Sequence, residues 1–420
     1  MQLGYDQINI IKTSFANMQT LEDLLWLINT ANEWTHTGYA KLEPVRLKSI
    51  TYYSNPKLSP NAYRSFEVAK KSGGKRNIHA PVRGLKFIQQ ALSTILQHVF
   101  EQHTAAKGFV AGLSIAENAK PHVGKHYVFN LDLKDFFPSV DKPRFWKRLQ
   151  YPPFNLNNES DRLHLANRIS ALCFTQMEVE RLLDGKIQHV QRDVLPQGAP
   201  SSPVITNIIA YRLDKKLTGL AKRFGCDYTR YADDITFSSM HHVYRKDGVF
   251  RKELEKIISS QHFRINEKKT RLQKNVHRQE VTGVVVNEKL NVKRRYIKQL
   301  RQWLYFWEKY GEEKAEELFL KAYNEDKGHI TEDEASMREV INGKLLYLKM
   351  IKGEDDSTYT KLKNRFEALK NGVEPVDINK LLELWEQKGI HAAMKHYYRS
   401  QLRLDINRII AHIENVDGNS

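Results

Sequence analysis

The stretch YTRYADDITFSS, residues 228–239, sets Asp233 and Asp234 side by side between two runs that favour extended backbone. Tyrosine, threonine, isoleucine and phenylalanine on the flanks are strand formers, and an Asp-Asp pair is turn chemistry. The pattern therefore predicts a tight β-hairpin with both acids at its tip. Such a tip has two readings at this level: a solvated acidic turn, or carboxylates gathered around something positive.

A second acidic strand end occurs in FNLDLKDFFPSV, residues 129–140, where Asp132 follows an apolar run. If the two strands are neighbours, Asp132, Asp233 and Asp234 converge, and each like-charge pair near 4 Å costs about 4 kcal/mol at an effective dielectric of 20. A positive partner is then required. Histidine and cysteine form no cluster in the sequence, so the donor set is all oxygen and suits a hard cation such as Mg²⁺. Two such ions about 3.5–4 Å apart can activate an attacking hydroxyl and stabilise the leaving oxygen of an in-line phosphoryl displacement.

The bulk properties agree. The chain has 420 residues, 41% of them hydrophobic, enough for two or three domains with sizeable cores. Lysine and arginine number 66 against 49 acids, a net charge of +17, which points to a polyanionic partner and first of all to nucleic acid. Cys173 and Cys226 alone cannot build a disulfide framework or a thiolate zinc site, and they suit a reducing cytoplasm. No charged start with a long apolar stretch opens the chain, and no run of about 18 apolar residues occurs, so the expectation is a soluble, cytoplasmic protein without a membrane partner. The sequence argues against a P-loop NTPase, because no Gly-Lys-Ser/Thr ending exists.

Along the chain, residues 1–50 read as helical, with LEDLLWLINTANEW at helical spacing. YRSFEVAKKSGGKRNIHAP, residues 63–81, alternates like a hairpin around a Ser-Gly-Gly turn loaded with basic residues, and the helical LKFIQQALSTILQHVF follows. KHYVFNLDLKDFF reads as a buried strand entering a turn, and strand and helix signals mix as far as residue 290. Beyond it Tyr296, Leu300, Leu304, Trp307 and Tyr310 follow an amphipathic helical period.

YADD after a strand, preceded by FNLDLKDFFPSV and LPQGAPSSPVITN in that order, resembles the motif series of reverse transcriptases over about residues 60–290. The resemblance implies that Asp132, Asp233 and Asp234 are catalytic, and that they bind two Mg²⁺ ions with the backbone carbonyl of Leu133. Phe137 would be the aromatic gate beneath the incoming sugar, although an aromatic in DFFPS also suits plain core. Asp135 suits a turn cap or a substrate contact. Gln197 and Gly198 would pack on template and nucleotide, in a loop that otherwise reads as a simple helix entry. Lys70 and Arg76 would meet the triphosphate, and Lys269 would stand at the pyrophosphate leaving group. Val281, Thr282 and Gly283 would grip the primer end, with Gly283 inside a strand for close backbone approach.

NAKPH, residues 118–122, and VTG, residues 281–283, look like short insertions of retron reverse transcriptases, which would give Asn118 and His122 to RNA; a hydrogen-bonded structural histidine is the plainer reading of His122. Lys293, Arg294 and Arg295, with Lys298 and Arg301, make a basic helix suited to a nucleic-acid backbone. KHYYRSQLRLDINRII near the end suits either a structured RNA or extra packing. The implied fold is α+β, a right-hand polymerase: a helical segment at 1–50, fingers at 51–118, a palm with an antiparallel sheet at 119–290, a helical thumb at 291–353 and a helical extension at 354–420. The implied activity is RNA-directed DNA synthesis from deoxynucleotides on an RNA template and a DNA or RNA primer. A dedicated non-coding RNA in bacterial anti-phage defence, as in a retron or a related system, would be the setting. Template-independent DNA synthesis and a non-catalytic RNA-binding scaffold are the alternatives.

Overall fold

The computed structural model of the chain describes residues 3–36, 43–69, 74–183, 186–327, 335–371, 378–392 and 394. It divides into two compact units, Met1–Thr282 with Val286–Lys289, and Gly283–Val285 with Leu290–Ser420.

The first unit opens with helices α1 (Tyr5–Asn17), α2 (Leu21–Thr35) and α3 (Leu47–Tyr53). A reciprocal cap starts α2: Asp23 N–H donates to Thr20 Oγ1 at 3.2 Å while Thr20 N–H donates to Asp23 Oδ2 at 2.9 Å. The expected hairpin follows as β1 (Tyr63–Ala69) and β2 (Lys75–Pro81), antiparallel with Phe66 opposite Ile78. In α4 (Arg83–Val99), Leu85, Ile88, Leu92, Ile95 and Leu96 are buried at helical spacing. Lys70, expected at the triphosphate, and the segment KHYYRSQLRLDINRII lie outside the described residues.

Next come α5 (Ile115–Ala119), β3 (Tyr127–Lys134), α6 (Lys142–Leu149) and α7 (Leu163–Cys173). A second hairpin, β4 (Thr175–Leu183) with β5 (Lys186–Val194), precedes the long helix α8 (Ser202–Arg223). The hairpin at residues 228–239 is present as β6 (Asp227–Tyr231) and β7 (Asp234–Ser239), followed by α9 (Val249–Ser260), β8 (Arg264–Ile265) and β9 (Arg271–Lys274). β3 is the middle of one antiparallel sheet: β7 and then β6 pair along one edge, and β9 and β8 pair in succession along the other. The class is α+β.

Strand periodicity sorts this sheet into an apolar and a polar face. On one face Phe129, Leu131 and Leu133 of β3 lie beside Phe237 and Ile235 of β7, and Phe129 and Phe237 pack on Phe250 of α9 at ring separations of 6.5 and 5.2 Å. On the other face Asn130, Asp132, Asp234, Thr236, Ser238 and Thr229 align.

That polar face is mostly sealed, and it corrects one expectation. His122 is fully buried and Asn118 is 1% exposed, so neither offers a side chain to RNA. The His122 ring bridges Thr229 Oγ1 at 2.8 Å and Ser238 Oγ at 2.7 Å. The Thr229 hydroxyl donates to the Asn118 carbonyl at 3.3 Å, so its oxygen accepts from His122 Nε2–H and leaves Nδ1 to accept from Ser238. Burial pushes the imidazole pKa down to about 3, and it stays neutral. Asn118 Nδ2 donates to Thr282 Oγ1 at 3.3 Å. Gly283 is not inside a strand: it follows Thr282 in a turn, with φ of 47° at Thr282 and 85° at Gly283, so its conformation rather than a close neighbour calls for glycine.

In the second unit α10 (Arg294–Tyr310), α11 (Glu312–Lys327), α12 (Met337–Lys352), α13 (Ser357–Lys370) and α14 (Ile378–Lys388) follow one another. Leu300, Trp303, Leu304 and Trp307 form the buried stripe of α10, and Trp303 and Trp307 meet Phe319 and Phe366 at 5.0 and 6.0 Å. Tyr310, expected in that stripe, is 47% exposed. Among the described residues no helix is long and apolar enough to cross a membrane.

Replacing His122 by alanine should leave two buried hydroxyls without their partner and a cavity between them, a loss of about 2–4 kcal/mol in chemical denaturation. RNA affinity, read by filter binding, should be unchanged; a fall in affinity without a fall in stability would overturn the structural role.

Candidate active site

The hairpin between β6 and β7 turns in two residues, Ala232 and Asp233, with Tyr231 opposite Asp234. Ala232 has φ of 57°, a left-handed conformation that costs a non-glycine residue about 1 kcal/mol or more. Asp132 of β3 lies directly opposite Asp234, and Leu133 N–H donates to the Asp233 carbonyl at 3.0 Å. The strand pairing thus brings together the three acids that stand about a hundred residues apart in sequence.

Asp132 is 5% exposed. Its Oδ1 accepts from Asn266 Nδ2 at 2.9 Å, its Oδ2 from Lys269 Nζ at 2.8 Å, and its carbonyl from Asn266 N–H at 2.8 Å. Burial and the charge of Asp132 raise the pKa of Asp233. Asp234 is exposed at the hairpin tip, yet desolvation by its surroundings, with the charges of Asp233 and Asp132, pushes its carboxyl up to about 6. Burial works against the charge of Lys269, but the hydrogen bond and charge of Asp132, with Asp233 and Asp234 behind it, raise its pKa. Among the described residues, no three His, Cys, Asp or Glu side chains are already drawn together closely enough to hold a metal ion. The donors at hand are nonetheless all carboxylate oxygen, the type a hard divalent cation takes.

Asp132 and Asp233 line a cleft of about 1900 Å³. Phe137 lines it, half-buried, with its ring 6.0 Å from Phe109 and 5.7 Å from Phe136. Asp135, at φ of 50°, shapes the intervening turn: its carbonyl accepts from Ser139 N–H at 2.8 Å, and its carboxylate meets Arg264 at 3.4 Å. Gln197 and Gly198 line the cleft too, and the Gln197 carbonyl accepts from His79 N–H of β2 at 2.8 Å. Gly198, at φ of 117°, has no room for a side chain, since a Cβ would stand 2.8 Å from Ile78 Cγ2 and 3.1 Å from the His79 carbonyl oxygen. Arg76 on β2 is exposed in the cleft, and its charge acts on Asp233. One unit therefore gathers Asp132, Leu133, Asp233, Asp234, Lys269, Arg76, Phe137, Gln197 and Gly198.

The profile of the family described as reverse transcriptase (RNA-dependent DNA polymerase) matches residues 68–286. The chain belongs to this family. The Retron Mx65 reverse transcriptase of Myxococcus xanthus is 38% identical to it over 261 residues, 61% of this chain and 59% of that one. The Retron Ec86 reverse transcriptase of Escherichia coli is 33% identical over 247 residues, 57% of this chain and 68% of that one. Against the Mx65 protein the chain spans under two thirds of the relative's length. A solved telomerase from Candida albicans in complex with a fragment of telomeric RNA is a distant likeness, with a TM-score of 0.40 and 10% identity over 78% of this chain and 66% of that one.

Val281 is buried, Thr282 half-buried and Gly283 exposed. Lys293, Arg294 and Arg295 are exposed at the start of α10 in the second unit. Asn266 was not singled out in the sequence, where an asparagine next to a lysine-rich turn carries no mark; its position opposite Asp132 gives it its importance. The β4–β5 hairpin was missed as well, and Glu180 on it accepts from Lys134 Nζ of β3 at 2.6 Å, beside the acids.

The raised Asp234 carboxyl makes a signed prediction. Between its ordinary value of 3.8 and the folded value of about 6, the folded chain binds a proton that the unfolded chain does not, so stability falls as pH rises through that window. In chelator, Asp234→Asn should melt higher than wild type at pH 7.5, by on the order of a few degrees, and the gap should close toward pH 4. A gap that does not change with pH would show that the carboxyl is not strained.

Proposed function

We propose that the chain is an RNA-directed DNA polymerase that adds deoxynucleotides to a primer on an RNA template. The observation that carries this reading is the meeting of Asp132, Asp233 and Asp234 where β3 pairs with the β6–β7 hairpin, with Asp132 and Asp233 lining the cleft. Family membership and the basic balance of the chain support it.

Asp132, Asp233 and Asp234, with the Leu133 carbonyl, would hold a pair of Mg²⁺ ions, which supply charge neutralisation and an activated attacking hydroxyl when bound. The residues of the chain do the rest. Lys269, hydrogen-bonded to Asp132, would give a proton to a departing phosphate oxygen. Arg76 offers a guanidinium fork to the triphosphate. Phe137, which lines the cleft, would lie beneath the sugar, where a 2′-hydroxyl would collide with its ring. Gly198 lets its loop pack closely against β2, and Gln197 would border the nucleotide. Fingers at 51–118, a palm at 119–290 and a thumb from 291 are the proposed division.

The relatives' names support a retron setting, in which a dedicated structured RNA supplies template and primer and the product serves in anti-phage defence. Sequencing the nucleic acid that co-purifies with the protein tests that setting: one structured RNA joined to its own DNA copy is expected, and a random RNA population would remove it.

The central test is primer extension on an RNA template with Mg²⁺. Wild type should incorporate deoxynucleotides, and Asp233→Ala should lose at least about two orders of magnitude in rate. Equal incorporation by both would sink the assignment. Incorporation that persists without template would move the activity to template-independent synthesis.

A further inference from the structure

Arg230 is fully buried two residues before the strained turn, on the apolar face of the sheet. Its Nε donates to Asp214 Oδ1 at 2.8 Å and its Nη2 to Asp214 Oδ2 at 2.6 Å, a two-pronged pair with a carboxylate that is itself fully buried. Tyr228 O–H donates to the same Oδ1 at 2.7 Å. The remaining prong, Nη1, donates to the Ala232 carbonyl at 3.0 Å and to Asn207 Oδ1 at 3.1 Å. Asn207, also on α8, donates from Nδ2 to the Gly108 carbonyl at 2.9 Å.

Gly108 closes the other side. A Cβ there would stand 2.5 Å from Ala232 N and 3.0 Å from the Tyr231 carbonyl carbon, so the segment passes against the turn's backbone. The same segment runs beside β6, with Arg230 N–H donating to the Ala105 carbonyl and Lys107 N–H to the Arg230 carbonyl, both at 2.8 Å.

A buried ion pair is a poor source of stability, because desolvation consumes most of the attraction, and well-packed apolar residues often do better. A fixed direction is what this pair provides. The guanidinium is locked by Asp214 on one side and, from Nη1, donates to the carbonyl between Tyr231 and Asp233 as well as to Asn207. We propose that Arg230, held by Asp214 and Asn207, and Gly108 opposite it are positioning residues: together they brace the Ala232 turn and set the placement of Asp233 and Asp234 against Asp132. This inference rests on the polymerase reading, since it assigns how that site is held in register.

The test is single-nucleotide incorporation by the full chain on a homopolymeric RNA template with a DNA primer. It compares wild type, Asp233→Ala, Arg230→Lys, Asn207→Ala and Gly108→Ala, with melting temperatures alongside. Arg230→Lys keeps the charge and loses the fork, Asn207→Ala removes one tie, and Gly108→Ala pushes on the turn from outside. Each of these three should lower the maximal rate about 10–100-fold while leaving the nucleotide KM within about threefold, in a chain that still melts cooperatively. A folded variant with the full maximal rate, or with only KM changed, overturns the brace. If Arg230→Lys does not fold, the other two decide, and loss of folding in all three would make the network merely structural and overturn the proposal. Failure of the polymerase reading looks different: wild type and Asp233→Ala would then be alike, and the brace would fall with it.

Discussion

The register between β3 and β7 is the constraint on which the rest depends. With Asp132 opposite Asp234, the acids share the polar face and Phe129, Leu131, Phe237 and Ile235 share the apolar one. A slip of one residue would send every side chain of one strand to the opposite face and turn Asp132 into the apolar layer. The register is therefore held by burial, and on the polar side by Asn130 Nδ2 donating to Thr236 Oγ1 at 3.0 Å, one step inward from the acids. Chemistry at the strand ends is placed by packing in the strand middles.

Placing the acids there has an electrostatic cost. Burial first, and then the charges of the neighbouring acids, raise the pKa of Asp233 and Asp234. Lys269 and Asn266, both from the turn between β8 and β9, offset part of it at Asp132. Under the proposed function, cations from outside the protein would offset the remainder. Stability and function pull in opposite directions at the tip of the hairpin, as they do where a fold is bent to a task.

The sequence made some parts of this legible and hid others for physical reasons. Strong alternation around Asp233 and a continuous apolar run before Asp132 announced the strands, and the helical stripes of α2, α4 and α10 were visible in their spacing. The β4–β5 hairpin was not, because Glu178, Glu180, Gln188, Gln191 and Arg192 line strands with little apolar alternation to betray them. The resemblance gives Asn118 and His122 to RNA, while His122 by itself suits a hydrogen-bonded structural role; the partners that settle it, Ser238 and Thr229, lie over a hundred residues away and draw both residues in. Tyr310 fits the period of α10, but nothing buried it. Local pattern identifies elements; long-range pairing decides which face of each is hidden.

Arg230 shows the same limit from the other side. In RYADD it reads as one more basic residue of a basic chain, and only its distance to Asp214, on a helix that precedes the hairpin, changes its meaning. A charge placed on the apolar face of a strand is a local contradiction, and the chain resolves it by burying the opposite charge beside it rather than by exposing either. Since an apolar pair would satisfy the core more cheaply, the reason for a guanidinium at this point has to lie in its directionality. A single planar group fixed by Asp214 can hold the carbonyl of a strained turn in one direction, which a hydrocarbon side chain cannot do. The core of the first unit thus carries information about the position of the acids, and the hairpin tip inherits its geometry from α8 as well as from β3.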